Sequence, residues 1–281
     1  MYRELYRFGG VTFALESDAP LERSPVCEAF RVPDGVPDHT ICLRFSDALP
    51  TPPTGALRRD DVFRWQAGAQ RHLLQWVSAP GDIPHFTYAV THGAHTDVIF
   101  ASAYRTGASV STALEAVGLF DVFAARGMLV LHSAYIVTSA GEAILFSGPS
   151  GVGKSTQAAL WERCAGARVV NGDRALVDVG RRTANGIFYA GTSGISENVT
   201  APIRAIVLLG QSSENRVFIP SPRAAFAGVL SQCAYYDWDV SSAEKMTACA
   251  ARLVSDVPVL RMDCLPDATA VETLRGKLGG I

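Results

Sequence analysis

The sequence has few cysteines, and none of them is paired in a motif. Six cysteines occur singly along 281 residues, and no C-x-x-C pair is present. This spacing argues against a zinc site and against the dense disulfide framework of a small secreted domain. We therefore expect a chain whose thiols are reduced.

The sequence also lacks a strong net charge and a long hydrophobic run. Its 25 basic and 27 acidic residues give a net charge of −2, which offers no electrostatic basis for binding nucleic acid or an anionic membrane surface. No apolar stretch approaches the length of a membrane span, and the N-terminal segment lacks the apolar core of a signal peptide. We expect a cytoplasmic protein with neither nucleic acid nor membrane as a partner.

The most informative stretch covers residues 143–159. The apolar run 143–146 is typical of a buried parallel strand, and residues 156–162 favour a helix. Between them the chain fits the pattern G-x-x-x-x-G-K-[ST] without a mismatch. The residues predicted to contact a nucleotide are Gly148, Pro149, Ser150, Gly151, Val152, Gly153, Lys154, Ser155 and Thr156.

Each residue type in this loop has a chemical reason to be there. Glycines allow the backbone to wrap a phosphate so that successive N–H groups point inward, and the helix N-terminus adds partial positive charge. Lys154 can reach the β- and γ-phosphates, and the Ser155 hydroxyl can ligate Mg²⁺. The sequence therefore predicts binding of a nucleoside triphosphate, with ATP and Mg²⁺ as the expected ligands.

The remaining pattern predicts two domains, 1–124 and 125–281, with an α/β fold. Short alternating runs in the N-terminal part are typical of an antiparallel sheet, and residues 109–126 predict one amphipathic helix with Ser111 as its cap. In the second domain strands and helices do not alternate strictly, which favours a mixed sheet. Residues 175–179 and 186–189 predict a hairpin.

Two residues outside the loop are candidates for chemistry. Asp173 follows the predicted strand after the loop helix, at the sheet edge where ligands bind in open α/β folds. It can orient an acceptor hydroxyl and contact the metal, or it can simply form a turn. His132 lies in an apolar strand, and its spacing alone is more typical of a core histidine than of a ligand.

Three further histidines lie close together, at positions 85, 92 and 95, with Asp97 beside them. They match no familiar ligand spacing. We interpret them as exposed loop histidines.

The order Leu131-His132, then Gly148–Ser155, then Gly172-Asp173-Arg174 resembles the HPr kinase/phosphorylase family. The resemblance is good over residues 125–180 and looser beyond. The chain also resembles the HPr-kinase-like enzymes associated with ribosomally made peptides such as lasso peptides. The resemblance implies a P-loop kinase domain. The N-terminal region does not obviously match the accessory domain of the classical enzymes, so we expect a smaller α+β domain that selects a different substrate. The resemblance further implies that Asp173 acts as base toward an acceptor serine and that His132 lies by the phosphates.

The sequence departs from that family at several positions. Gly172 stands where the family usually has a first acid, and Thr156 stands where the bifunctional enzymes have an acid. The sequence also has no clear copy of the family's glycine-rich signature strand beyond the active site. Together these departures make a kinase activity a better expectation than a phosphorylase activity. Gly191–Gly194 with Glu197 can line the acceptor side or form a plain surface loop. Arg174, Arg204 and Arg261 are equal candidates for supplying positive charge to the transferred phosphate.

We therefore expect an ATP- and Mg²⁺-dependent kinase, with Asp173, His132 and Lys154 in the catalytic site and with Ser155 and Asp173 at the metal. The expected acceptor is a serine of a peptide or small protein. Alternatives are a small-molecule kinase acting for example on free serine, a phosphoenolpyruvate-carboxykinase-like enzyme, or a nucleotide-binding module without transfer activity. Because members of that family are often oligomeric, a homo-oligomer stays open.

Overall fold

The computed structural model describes residues 1–48, 50–59, 62–77 and 85–280. The chain divides into two compact units, Met1–Val122 and Phe123–Ile281. The expected division was 1–124 and 125–281. Both units contain sheet and helix, so the fold class is mixed α/β.

The first unit is mainly a sheet. Its elements are β1 (Tyr2–Phe8), β2 (Val11–Ser17), α1 (Pro25–Glu28), β3 (Arg31–Val32), β4 (His39–Phe45), β5 (Leu57–Arg59), β6 (Val62–Ala67), β7 (Gln70–Val77), β8 (His85–His92), β9 (His95–Phe100), the 3₁₀ helix Ser102–Arg105, α2 (Val110–Val117) and α3 (Phe120–Ala124), which crosses into the second unit. Within the described residues of this unit, the strands lie in the order β3-β1-β2-β4-β9-β8-β7-β6-β5.

Two expectations for this unit were wrong. The sheet is mixed rather than antiparallel, because the chain crosses over between β2 and β4 and between β4 and β9, which pair in parallel. The single helix expected over 109–126 is two helices, because Gly118 adopts a left-handed conformation with φ +57° and ends α2. The cap is Ser109 rather than Ser111, in a capping box with Thr112.

The second unit contains the predicted loop. Its elements are β10 (Met128–Val137), β11 (Ala143–Ser147), α4 (Lys154–Ala165), β12 (Arg168–Asn171), β13 (Arg174–Asp178), β14 (Thr183–Asn185), the 3₁₀ helix Gly191–Ser193, β15 (Thr200–Gln211), β16 (Arg216–Phe218), α5 (Pro222–Leu230), β17 (Cys233–Ala234), α6 (Val240–Asp256), β18 (Val259–Cys264) and α7 (Ala268–Leu278). The strand before the loop and the helix after it confirm those two local predictions.

The second unit has a mixed sheet with helices on both faces. Strand β11 runs antiparallel to β10 and parallel to β15, which in turn runs parallel to β18. Alternate residues of β11 enter opposite cores, because successive strand side chains point to opposite faces. Ile144 and Phe146 pack with residues of α4 and α7, whereas Leu145 packs with residues of α5 and α6.

The predicted hairpin in this unit was correct in its first strand and wrong in its second. The return strand is Thr183–Asn185, and its register places Leu176 opposite Asn185. The expected return strand 186–189 instead continues as irregular chain. Within the described ranges, no helix is both long enough and apolar enough to cross a membrane.

Candidate functional site

The loop between β11 and α4 has the backbone that its glycines make possible. Gly148, Gly151 and Gly153 have φ values of +149°, +76° and +110°, which L side chains rarely adopt. Gly148 is also tightly packed, since a Cβ there would lie 3.1 Å from Val152 Cγ1. Gly153 is the N-cap of α4, and as a glycine it offers no side chain to the first amides of the helix. These amides are suited to bind an anion.

Lys154 is the first residue of α4 and is 7% exposed. Its Nζ donates to the carbonyl oxygens of Gly148 at 3.0 Å and Pro149 at 3.1 Å, so the side chain lies back along the loop. Burial lowers the pKa of Lys154, and the negative charge of Asp173 partly offsets that effect.

Asp173 lies in the turn between β12 and β13, with its side chain 30% exposed. Its Oδ1 is 3.4 Å from His132 Nε2, and its Oδ2 accepts from Arg174 Nε at 3.3 Å. The hydrogen bond from His132 lowers the pKa of Asp173, burial opposes it, and Arg174 lowers the pKa further. The carboxylate is therefore ionised at neutral pH and is held from two sides.

His132 connects this carboxylate to the start of the loop. The register of β10 and β13 pairs His132 with Arg174, and Ser133 N–H donates to the Asp173 carbonyl at 2.9 Å. On the other side, Ser147 Oγ donates to the His132 carbonyl at 2.8 Å. Ser147 directly precedes Gly148. His132 therefore contacts the start of the loop through its carbonyl oxygen and the Asp173 carboxylate through its ring. His132 is thus not an isolated core histidine.

Asn171 orients the turn that carries Asp173, and this role was not predicted from the sequence. The residue is fully buried, and its Oδ1 accepts from the backbone N–H groups of Asp173 and Arg174, both at 2.9 Å. Its Nδ2 donates to the Ile187 carbonyl at 2.7 Å. An asparagine at a strand end, two residues before the acid, is the local signal that could have identified it, because Asn side chains fix such turns.

The position of the absent first acid is sterically closed. A Cβ on Gly172 would lie 2.3 Å from Ser193 Oγ and 2.6 Å from Ser193 Cβ. Gly191 is packed against the acid in the same way, since a Cβ added to Gly191 would lie 2.7 Å from Asp173 Cβ. The segment 191–194 therefore packs directly against the Asp173 turn and is not a detached surface loop.

The three candidate arginines have different surroundings. Arg174 contacts Asp173, and its guanidinium lies 5.1 Å from the centre of the Tyr189 ring. Arg204 donates to the Leu278 carbonyl at 2.5 Å, and Arg261 Nε donates to Asp263 Oδ1 at 2.7 Å. Of the three, Arg174 is the one whose contacts include the candidate acid.

The oxygen ligands available here are of the kind that Mg²⁺ prefers. Ser155 is exposed in the first turn of α4, and Asp173 contributes a carboxylate. The strand parallel to β11 cannot provide another acid, because residues 203–211 contain none. Asp263 lies on β18, the strand that pairs with β15, and its carboxylate accepts a hydrogen bond from Arg261. Ser155 and Asp173 are thus the oxygen donors of the predicted metal site, a hydroxyl and a carboxylate.

No known protein-family model matches this chain, and no curated protein matches it either.

Proposed function

We propose that the chain is an ATP- and Mg²⁺-dependent kinase that transfers the γ-phosphate to a serine hydroxyl of a peptide or small protein. The single observation that carries the proposal is the Asp173 carboxylate, which is held by His132 and Arg174, with His132 itself hydrogen-bonded to Ser147 at the start of the loop. The second unit is accordingly a P-loop kinase domain. The first unit is an accessory domain that selects the acceptor.

The proposed reaction needs no covalent enzyme intermediate. The acceptor hydroxyl oxygen forms a bond to the γ-phosphorus while the bond from that phosphorus to the β–γ bridging oxygen breaks, and ADP leaves. Asp173 orients the hydroxyl and takes its proton. Because the transition state is loose, the proton leaves late, so a carboxylate with a lowered pKa is a sufficient base.

Positive charge is the second requirement. Lys154 neutralises the β- and γ-phosphates, and the Arg174 guanidinium supports the transferred group. Mg²⁺, held by Ser155 and Asp173, supplies further neutralisation of the phosphates when it is bound. His132 is a positioning residue, since its ring contacts Asp173 and its carbonyl contacts Ser147.

A labelling experiment tests the acceptor class. The full chain is incubated with Mg²⁺ and ATP labelled at the γ-phosphate, together with serine-containing peptides, the same peptides with alanine in place of serine, free serine or oxaloacetate. The proposal predicts label on a serine peptide and none on its alanine partner. Label on free serine would support a small-molecule kinase, and phosphoenolpyruvate formed from oxaloacetate would support a carboxykinase-like enzyme. ATP binding without transfer to any acceptor would support a regulatory module.

A pair of glycine variants tests whether the contact beside Asp173 matters. Gly191→Ala and Gly194→Ala both place a side chain at positive φ, +54° and +66°, so both introduce backbone strain. The alanine at 191 would collide with Asp173, whereas a Cβ at 194 meets nothing within 4 Å. We expect Gly191→Ala to lower kcat for transfer by at least about tenfold more than Gly194→Ala, since small displacements of reacting groups are costly. Steady-state kinetics and thermal unfolding measure both effects. Equal kinetics in the two variants would contradict the placement.

A further inference from the structure

A second cluster of ligand-type side chains lies on the sheet of the first unit. Cys42 on β4 pairs in register with Asp97 on β9, and His92 at the end of β8 pairs with His95 at the start of β9. The histidines thus lie at strand ends flanking a two-residue turn, which corrects the expectation of loop histidines. The side chain of His85 is outside the described residues.

The donor atoms of this cluster converge. Cys42 Sγ, a His95 ring nitrogen and an Asp97 carboxylate oxygen all lie within 4.8 Å of one another. His95 Nε2 is 3.3 Å from Asp97 Oδ1, and His92 Nε2 is 3.3 Å from Asp97 Oδ2. Ligand atoms that share a tetrahedral ion at bonds of about 2.0–2.3 Å lie roughly 3.3–3.8 Å apart. The two histidine–Asp97 distances have this size, and Cys42 Sγ lies within 4.8 Å of the His95 and Asp97 donors, so small side-chain shifts would bring the atoms to a shared ion.

We propose that Cys42, His95 and Asp97 bind a structural Zn²⁺ ion, and that His92, which contacts Asp97 and is partly exposed, turns in as the fourth ligand. A thiolate, two imidazoles and a carboxylate form a complete tetrahedral set of the types that zinc takes, with no position left open for a substrate. Such an ion joins the tip of the β8–β9 hairpin to β4. This assignment is independent of the proposed kinase site, because all four residues belong to the first unit.

Burial and charge also suit a cation. All four side chains are partly accessible, so an ion can enter from solvent. The neighbouring buried residues Ile41, Leu43 and Val98 point to the opposite face, which leaves the polar cluster on its own side of the sheet. A second carboxylate adds negative charge, since Glu16 Oε2 is 3.5 Å from Cys42 Sγ while its Oε1 pairs with Arg3 at 3.2 Å.

Cobalt titration of the full, reduced chain without nucleotide tests the assignment. Co²⁺ bound by a thiolate gives a sulfur-to-metal charge-transfer band, so the readout reports Cys42 directly. We expect one equivalent of Co²⁺ to give this band and Zn²⁺ to remove it by displacement. Cys42→Ser should eliminate the band and weaken binding by on the order of a hundredfold, and His92→Ala should weaken binding by at least about tenfold. Zn²⁺ should also raise the thermal unfolding midpoint of the wild type, because it binds the folded state.

Cys164→Ser is the matched control, because Cys164 is an exposed free thiol outside the cluster. It should leave the band unchanged. Absence of a stoichiometric band in the wild type, or its survival in Cys42→Ser, would overturn the assignment and leave the imidazoles as hydrogen-bond donors to Asp97 only. Circular dichroism of each metal-free variant checks its folding. His92→Ala keeps the test decisive if Cys42→Ser does not fold, because the His92 side chain is 43% exposed.

Discussion

Asp173→Asn should reduce phosphate transfer by about two to four orders of magnitude while leaving ATP binding nearly unchanged. The amide keeps the size of the carboxylate but cannot accept the acceptor's proton, and a positioned general base contributes this range of rate. The loop and Lys154 hold most of the nucleotide, and ATP binding is measured without Mg²⁺, which Asp173 also holds, so the dissociation constant should change little. Single-turnover transfer and calorimetric ATP binding measure the two effects separately.

Asp178→Asn is the matched control for that variant. Asp178 lies at the end of β13, where its carboxylate accepts from the Arg181 backbone N–H and side chain rather than from His132. The same chemical change there should leave transfer within about twofold of wild type, because Asp178 is buried in its own turn and touches no reacting group. Wild-type transfer by Asp173→Asn would remove the carboxylate from the mechanism.

The lowered pKa of Asp173 has a consequence for stability. Because the folded pKa is below the unfolded value, the carboxylate stabilises the fold above its unfolded pKa, and this contribution is lost as pH falls through the folded pKa. Asp173→Asn should therefore lower the unfolding midpoint at neutral pH and have little effect in strong acid. The effect is modest, since the side chain is 30% exposed.

Lys154→Ala should lower kcat/KM for transfer by about a hundredfold or more and should also weaken ATP binding. The variant removes a buried ammonium from the loop, and loss of one preorganised donor to developing charge costs roughly two to three orders of magnitude. It also removes the hydrogen bonds to the Gly148 and Pro149 carbonyls, so the loop backbone loses an anchor. Transfer kinetics and equilibrium ATP binding measure both losses.

Another lysine provides a control for the loss of the Lys154 charge. The chain has only two other lysines, Lys245 and Lys277, and Lys245 is exposed on α6. Lys245→Ala should leave both ATP binding and transfer unchanged. Wild-type ATP binding by Lys154→Ala would show that this side chain does not contribute to binding of the triphosphate.

Short-range sequence patterns were sufficient to predict the loop segment and most of the strands. The apolar run 143–146, the glycine spacing and the helix formers after Lys154 are all short-range features, and each corresponds to an observed element. Short-range signals failed where one residue changed the outcome. Gly118 interrupts an otherwise amphipathic stretch, and the hairpin after Asp178 returns three residues earlier than the alternation suggested.

The convergence of His132 with Asp173 could not be worked out from spacing. It depends on the register between β10 and β13, which pairs residues about forty positions apart, and a shift of one residue would turn the histidine to the other face. The resemblance to a known family was the basis for predicting that both residues belong to one site. Asn171 was missed because a turn-forming asparagine looks the same whether or not it orients a neighbouring acid.

The proposed zinc cluster shows the same limit in the other unit. Cys42 is far from His95 in sequence, and only the parallel pairing of β4 with β9 brings the two donors together. Spacing rules for zinc sites describe ligands that lie on one hairpin or one helix. They do not detect a set that is distributed over three strands.

The most direct measurement is a crystal structure of the full chain with Mg²⁺ and a non-hydrolysable ATP analogue. The account predicts the triphosphate wrapped by residues 148–155, with Lys154 Nζ on the β- and γ-phosphates and the Asp173 carboxylate facing the γ-phosphate. A nucleotide bound elsewhere, or an Asp173 carboxylate turned away from the γ-phosphate with no metal or acceptor-sized space between them, would contradict it.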